Sequence, residues 1–227
     1  MVPGPQKRRD PRRRQPRGPH WVQLRSATGL TSEEYVRQEG WRSASLERCP
    51  AHPEGGCGFA RHGTYTRKNP RGVQVPRWYC AEGHKTFSLL PDFAASRLSS
   101  SLDEVEPVAV AVEGARSLEA AASKLRPRIE LPGAVRWTRR RVVAVRTTLV
   151  TAVGLLPGVL AGIELNVTSF RAALGAGQAL VALREATSVH LPHLPPPVGF
   201  GPRPTPRRRS AGPHQQNPGP DPPTTGA

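Results

Sequence analysis

The fold is decided by residues 49–93, which read CPAHPEGGCGFARHGTYTRKNPRGVQVPRWYCAEGHKTFSLLPDF. Within this stretch, short β-like pieces alternate with turns that are rich in Gly and Pro. Residues 63–67 and 73–79 have the composition of strands, and the segment KNPRG at 68–72 joins them. The pattern predicts a small β-hairpin with potential metal ligands on both sides of it.

Six side chains in and around this hairpin offer sulfur or nitrogen to a metal: Cys49, His52, Cys57, His62, Cys80 and His84. Structural zinc takes four such donors, usually as two pairs held in tight turns. Cys80 and His84 are one predicted pair, because the loop between them contains Gly83 and follows a strand. The region has only 45 residues, and aromatic residues make up only 5% of the chain, so a metal is expected to add stability that a small core cannot supply. The alternative is a set of ordinary buried thiols and surface histidines.

The second predicted pair begins at Cys49, and its partner is ambiguous. His52 gives the compact spacing C-x-x-H, whereas Cys57 is followed by Gly58, which relaxes the turn behind it. Cys57 is favoured because a thiolate is the softer and stronger zinc donor, and His52 remains the rival ligand. The predicted zinc ligands are therefore Cys49, Cys57, Cys80 and His84, with His62 on the surface.

The formal net charge of +16 predicts a polyanionic partner, and nucleic acid is the usual one. Arg61, Arg67 and Lys68 are candidate DNA contacts near the hairpin. The number of cysteines is odd, and the first twenty residues contain no apolar stretch, which indicates a reducing compartment, so we expect a cytoplasmic, nucleoid-associated protein. The longest uncharged run, residues 147–163, is interrupted by Gly and Pro, which predicts a broken helix rather than a membrane span.

Residues 99 to about 185 have helical periodicity. The first predicted helix begins at a capping box formed by Ser101 and Glu104 and ends at Gly114. Ser117 can cap the next helix. The remaining predicted helices cover residues 118–125, 132 or 133 to 145, and 168–183.

The third predicted helix has two distinct faces. Its apolar stripe consists of Val135, Val142, Val145, Leu149 and Val153. Arg136 and Arg140 point away from this stripe, with Arg139 beside them. An apolar back and an arginine-rich front suit a helix in the DNA major groove, although a solvated face on a core helix would have the same pattern. Together with residues 117–125 this helix resembles a helix-turn-helix, with a linker at 126–133 that is longer than usual.

The motifs of residues 49–93 resemble the zinc ribbon at the front of many bacterial insertion-sequence transposases. In that family CPxCG is followed by an RHG-aromatic strand, then RYRC and CGRTF. Here the corresponding pieces are Cys49-Pro50, Cys57-Gly58, Arg61-His62-Gly63, Arg77-Trp-Tyr-Cys80 and His84-Lys-Thr-Phe87. The first knuckle is longer in this chain, and the last ligand is a histidine displaced by one place. The resemblance implies a DNA-recognition module.

No catalytic core is predicted, because Asp occurs only at positions 10, 92, 103 and 221 and the Glu residues form no paired cluster. Phosphate-binding loops, nucleophile elbows and HExxH sequences are also missing from the sequence. We therefore expect a protein that is not an enzyme, with no small-molecule substrate and no membrane partner.

The predicted fold class is α+β: a small zinc-ribbon β-hairpin module, then a small helical, helix-turn-helix-like domain, with disordered tails rich in Pro and Arg. The predicted segments are a disordered basic tail at 1–20, a linker with a short helix at 21–48, the ribbon at 49–93, the helical domain at 99–190 and a disordered Pro-rich tail at 194–227. The leading prediction is a non-catalytic, zinc-dependent protein that binds double-stranded DNA. The alternative is a protein-docking adaptor or accessory subunit of a mobile-element or transcription complex, with a separately encoded transposase as partner.

Overall fold

A computed structural model describes residues 21–201 of the chain. The predicted tail at 1–20, and the predicted C-terminal tail beyond residue 201, lie outside these residues. The described part has an α+β fold, in which one four-stranded sheet packs beside a group of helices. The predicted fold class is confirmed at this level.

The sheet has the strand order β1-β4-β3-β2. Its strands are β1 (Trp21–Ser26), β2 (Ala60–Thr66), β3 (Gln74–Cys80) and β4 (Lys85–Pro91). β2 and β3 pair antiparallel, which confirms the predicted hairpin, and β3 pairs antiparallel with β4. β1 instead pairs parallel with β4 across its whole length. Residues 21–48 were predicted as a linker with a short helix, but they also supply this edge strand. The pairing could not be seen in the local sequence, because parallel strands are joined by a long connection and are far apart in sequence.

The short helix α1 (Ser32–Arg37) fixes this N-terminal region to the sheet. Thr31 caps it with a reciprocal hydrogen-bond pair, since its hydroxyl accepts from the backbone N–H of Glu34 and the Glu34 carboxylate accepts from the N–H of Thr31. Tyr35 on this helix is fully buried, contacts Phe93 edge to face, and donates its hydroxyl to the carbonyl of Gln74. The helix therefore belongs to the core of the sheet.

Within residues 21–201, six further α-helices and a short 3-10 helix (Ser188–His190) follow the sheet. The α-helices are α2 (Leu102–Glu113), α3 (Leu118–Leu125), α4 (Leu131–Leu155), α5 (Pro157–Leu160), α6 (Val167–Leu174) and α7 (Ala179–Ala186). The structure confirms the predicted end of α2 at Gly114 and the bounds of α3, whose cap is the Ser117 hydroxyl. α4 continues past Val145 to Leu155, ten residues beyond the prediction. The single helix predicted at 168–183 is two helices, because Gly175 takes a left-handed conformation with φ of +60° and ends α6.

The predicted break in residues 147–163 is present, since α4 ends at Leu155 and α5 begins at Pro157. Among the helices of residues 21–201, none combines the length and the apolar character that crossing a membrane would require.

A buried carboxylate organises the start of α7. Glu106 on α2 is only 2% exposed, and its two oxygens accept hydrogen bonds from the backbone N–H groups of Ala179 and Leu180. The same carboxylate pairs with the guanidinium of Arg171 on α6 at 2.7 Å. Because a carboxylate satisfies free N–H groups at the positive end of a helix, Glu106 connects α2, α6 and α7.

Residues 194–201 also belong to the core. The side chains of Leu194 and Val198 are fully buried in the main apolar cluster, which includes Leu149 of α4 and Leu180 of α7. The hydroxyl of Thr148 donates to the carbonyls of Pro195 and Pro196. The prediction of a disordered tail from residue 194 is corrected for this segment: its prolines form a compact turn whose carbonyls are bound by buried donors.

The most heavily bonded of these donors is Arg184 on α7, which is 1% exposed. Its guanidinium donates to five backbone carbonyls, those of Pro91, Asp92, Ala94, Pro197 and Val198. Burial lowers the pKa of Arg184 to about 9, so the group remains protonated at neutral pH. It therefore holds the end of β4, helix α7 and the C-terminal segment in one arrangement.

We expect Arg184→Met to reduce the free energy of unfolding by at least about 3 kcal/mol, because each buried carbonyl left without a donor costs about 1–3 kcal/mol. Chemical denaturation followed by circular dichroism would measure the change. Arg146→Met is the matched control, since Arg146 is an exposed helical arginine. Equal stability of the two variants would contradict this role of Arg184.

Candidate metal centre and nucleic-acid interface

Three cysteines and one histidine converge where the loop 49–57 meets the end of β3. The ligand atoms of Cys49, His52, Cys57 and Cys80 all lie within 4.8 Å of one another. The Nδ1 atom of His52 is 3.7 Å from the sulfur of Cys49 and 3.3 Å from that of Cys80. Tetrahedral zinc with Zn–S of about 2.3 Å and Zn–N of about 2.0 Å separates its ligand atoms by about 3.5–3.8 Å. This Cys3His group could therefore hold a metal ion.

The first half of the centre is a tight turn that starts at Cys49. The N–H of His52 donates to the carbonyl of Cys49 at 3.1 Å, which directs both side chains to the same side of the turn. Gly55 and Gly56 follow, with φ of +89° and +79°, and return the chain so that Cys57 reaches the same point. These left-handed conformations suit glycine, so the loop length and its glycines together position the third ligand.

The second half is the knuckle after β3. Cys80 is the last residue of this strand, and its sulfur accepts a hydrogen bond from the N–H of Gly83 at 3.2 Å. A Cβ at position 83 would lie 3.2 Å from that sulfur and 3.4 Å from the His52 ring. A side chain at position 83 would therefore crowd both ligands, and glycine leaves room for their close approach.

The three cysteine ligands are shielded from water by apolar side chains, whereas the His52 side chain is 30% exposed. Cys49, Cys57 and Cys80 are 3%, 4% and 0% exposed, and Phe87 of β4 is buried with them. Phe59 contacts Phe87 edge to face with ring centroids 5.9 Å apart. β1 contributes apolar contacts to the same cluster. A metal at this point would join the loop 49–57, the knuckle and the β1–β4 edge of the sheet.

The cysteine thiols differ in acidity. For Cys49, burial opposes ionisation, but hydrogen bonds from His52, the backbone at Ala51 and the neighbouring thiols outweigh it and lower the pKa to about 7. For Cys57, burial and the negative charges of its two neighbours raise the pKa to about 11. Zinc binds thiolates, so a metal here must displace the proton of Cys57, while Cys49 ionises readily.

A carboxylate stands behind His52. Its Nε2 atom faces the Glu82 carboxylate at 3.8 Å, while its Nδ1 atom faces the sulfurs. A metal-binding histidine commonly directs its other ring nitrogen toward a carboxylate, which fixes the orientation of the ring. Glu82 lies in the knuckle after β3, and His52 lies in the turn that starts at Cys49. This contact therefore joins the two halves of the centre.

The structure brings together three of the four predicted ligands, Cys49, Cys57 and Cys80, and it replaces His84 by the rival His52. His84 is exposed, has a left-handed backbone with φ of +47°, and directs Nδ1 toward the hydroxyl of Tyr79 at 3.2 Å. Its position one place beyond the knuckle turns its side chain away from the sulfurs. The C-x-x-H spacing at 49–52 is the sequence signal for His52, and the preference for Cys57 over His52 is unnecessary because the cluster contains both.

The other histidine of this region, His62, is exposed on β2 and packs beside the ring of Tyr79, as predicted for a surface residue.

The predicted two-faced helix corresponds to α4. Val142, Val145 and Leu149 are buried, whereas Arg136, Arg139 and Arg140 are exposed. The residues between α3 and α4 are 126–130, a shorter linker than the predicted 126–133. α4 therefore presents a row of arginines to solvent while its opposite face packs in the core.

The basic residues near the hairpin have different surroundings. Lys68 is exposed. Arg61 is exposed but stacks over Trp78 and donates to the carbonyls of Trp41 and Arg42. The guanidinium of Arg67 is directed inward.

Arg67 donates to the carbonyls of Ala95, Leu98 and Ser100, and burial lowers its pKa. Its hydrogen-bond donors are committed inside the protein, where they hold the end of β2 to the loop that precedes α2. The guanidinium of Arg67 is therefore directed into the protein and away from a DNA partner.

Comparison of the chain with protein-family models, with curated proteins and with solved structures finds no match. The function must therefore be argued from the residues and geometry of the chain itself.

We expect His52→Ala to lower metal affinity by at least about 100-fold, since even the partners of a metal ligand contribute about 10–100-fold. His84→Ala should retain one metal ion per chain, because this side chain lies outside the cluster. Metal content by mass spectrometry and competition with a chromophoric chelator would measure both variants. If His52→Ala retained the metal and His84→Ala lost it, the ligand would be His84, and the assignment to His52 would be wrong.

We expect a thiol-reactive disulfide reagent to react slowly with the metal-loaded protein and rapidly with three thiols per chain after chelation, because all three cysteines of the sequence lie in the centre. The measurement is the rate and final amount of released chromophore. In Cys57→Ser, two thiols should react rapidly even before chelation. Identical rates with and without chelator in the unaltered protein would argue against metal ligation.

Proposed function

We propose that this chain is a zinc-dependent protein that binds double-stranded DNA through α4. The observation that carries the proposal is the exposed arginine row on a helix whose other face is fixed in the core. Arg136 and Arg140 are one helical turn apart, so their side chains extend in nearly the same direction. A guanidinium can bond guanine edges or phosphate oxygens, and the net charge of +16 favours the approach of a polyanion.

The arrangement of α3 and α4 supports the same role. A five-residue linker, 126–130, joins the two helices, and α3 packs against α4. In helix-turn-helix proteins the second helix enters the major groove with residues of its N-terminal part on base edges. Arg136, Arg139 and Arg140 occupy the first half of α4, which agrees with such a placement.

Zinc is the proposed metal because three thiolates and one imidazole form a soft, four-donor set that suits tetrahedral zinc. All four positions are filled by protein side chains, so no position is open for a substrate. The proposed role of the metal is therefore structural, and the proposed function is non-catalytic. By joining the loop 49–57 to the sheet, the metal would stabilise the sheet on which the helices rest.

The likeness of residues 49–93 to the zinc ribbons of insertion-sequence transposases supports a relation to the recognition part of such an enzyme. In this proposal the chain reads DNA, and a separately encoded transposase is a further partner. Lys68 and Arg61 would add backbone contacts beside α4, with Lys68 the freer of the two.

A second candidate is a protein-docking adaptor, and one observation favours it. Val143 and Val150 are each 56% exposed on α4, two turns apart, on the side of the helix that also carries Arg139. Exposed valines on the solvent face of a helix would suit contact with a protein. The DNA proposal is preferred because the arginines beside them outnumber the exposed valines and face the same solvent.

We expect the double variant Arg136→Ala/Arg140→Ala to weaken DNA binding by about 1–3 kcal/mol for each arginine that reaches a base edge. If both bind phosphates only, affinity should fall evenly across sequences, and the salt slope should decrease by about one for each lost contact. Fluorescence anisotropy with labelled duplexes at several salt concentrations would distinguish the two cases.

The matched control is Arg37→Ala/Arg71→Ala, which removes the same charge from exposed positions outside α4. Both double variants are compared again with Arg207, Arg208 and Arg209 changed to Gln, so that basic residues outside the described part do not mask the loss. DNA affinity that is equal in the two double variants would contradict recognition by α4 and favour the adaptor.

A further inference from the structure

A cavity of about 440 Å³ lies between the N-terminal half of α4, the linker 126–130 and the loop that precedes α2. Two arginines line it, Arg126 from the linker and Arg141 from α4. Both guanidinium groups lie over the ring of Trp137, with central carbons 4.7 Å and 3.8 Å from its centroid. The cavity therefore places two positively charged side chains next to one aromatic ring.

Neither arginine is fully satisfied by the protein. Arg141 is 6% exposed, and its Nε has no hydrogen-bond partner in the part of the chain that the structure describes. Its other nitrogens donate to the Ser100 hydroxyl at 3.0 Å and, at a long 3.4 Å, to the carbonyl of Trp137. Within residues 21–201, the guanidinium of Arg126 has no hydrogen bond or ion pair, only the contact with the indole. A buried donor such as the Nε of Arg141 ordinarily has a partner, so its unsatisfied state points to a ligand.

One carboxylate also lines the cavity, but it is already engaged. Glu104 accepts from the Asn69 side-chain amide at 2.9 Å and 2.7 Å and from the backbone N–H of Ser101 at 2.9 Å. It forms no ion pair with either cavity arginine among the described residues. Two guanidinium groups thus face the cavity against a single carboxylate whose oxygens are bonded elsewhere.

We infer that this cavity binds a phosphate group, carried by a DNA backbone or by a small free phosphate. Guanidinium groups match phosphate oxygens with two parallel hydrogen bonds, and two of them lining one cavity offer donors to one anion. Burial, together with the positive charges of Arg126 and Arg140, lowers the pKa of Arg141 to about 10, although Glu104 acts in the opposite direction. Arg141 stays charged at neutral pH, and an anion between the arginines would relieve their repulsion.

The position of the cavity relates it to the proposed DNA surface. Arg140 and Arg141 are adjacent on α4, with Arg140 on the exposed face and Arg141 lining the cavity. A backbone phosphate held in the cavity would fix α4 against the duplex, since phosphate contacts set the orientation of a protein on DNA. This DNA arm rests on the proposed function, whereas binding of free phosphate requires the cavity alone.

The test compares Arg126→Gln with Arg128→Gln in the full-length, zinc-loaded protein. Arg126 is only partly buried and lies in a linker, so its replacement is compatible with folding. Arg128 lies two residues away in the same linker, is exposed, and does not line the cavity. The two variants remove the same charge. Circular dichroism would be used to check that both variants are folded.

The first arm titrates inorganic phosphate and pyrophosphate by calorimetry, with tryptophan fluorescence as a second readout of Trp137. We expect saturable binding in the unaltered protein and in Arg128→Gln, and at least about tenfold weaker binding in Arg126→Gln, as loss of a charged hydrogen bond implies. The second arm measures affinity for duplex DNA in the same three proteins.

Weaker binding of Arg126→Gln in the first arm supports a site for free phosphate. A loss confined to the second arm, larger than that of Arg128→Gln, supports a site for backbone phosphate. Equal behaviour of the two variants in both arms, or no binding of phosphate or DNA by the unaltered protein, overturns the inference. If the protein binds free phosphate but no DNA, the cavity stands and the proposed function fails.

Discussion

The arrangement of the whole described chain depends on the hydrogen bonds of one buried guanidinium. Arg184 binds carbonyls at the end of β4 and in residues 197–198 from its place on α7. Few other buried polar groups of residues 21–201 form as many hydrogen bonds between the sheet and the helices. Burial of apolar side chains is not directional, so it does not by itself fix the orientation of the helices relative to the sheet. A charged group with five directed donors does fix it, because each carbonyl must lie in the plane of the guanidinium. The hairpin region and the helical region are therefore held as one unit, where the sequence indicated two separate modules.

The features that could be predicted from the sequence are those specified by neighbouring residues. The capping serine at 117 and Gly114 determine where α3 begins and α2 ends, and the Gly/Pro turn at 68–72 determines the β2–β3 hairpin. The features that could not be predicted depend on distant partners. β1 pairs with a strand more than sixty positions away, and the prolines after residue 194 are held by distant groups, among them Thr148 and Arg184, which bind their carbonyls.

The candidate metal centre shows the same division. Cys49, Cys57 and Cys80 could be predicted from residue type and from the Gly-containing turns beside them, because thiols next to such turns are the usual ligands of structural zinc. The choice between His52 and His84 depended on backbone direction. The hydrogen bond from the His52 N–H to the Cys49 carbonyl turns one imidazole inward, and the positive φ of His84 turns the other outward. Arg67 was expected to contact DNA, since a basic side chain at a strand end ordinarily keeps its charged group in water. Its guanidinium instead binds carbonyls that are about 30 residues away in sequence.

The dependence of the core on residues 197–198 has a consequence for the order in which the chain can fold during synthesis. A ribosome releases the sheet and most of the helices before these carbonyls emerge, and until then Arg184 has only part of its partners. Until residues 197–198 have left the ribosome, the part of the chain before them would remain an incompletely packed intermediate with exposed apolar surface. Chaperone binding during translation should therefore concentrate in the interval between the emergence of α4 and that of residue 198.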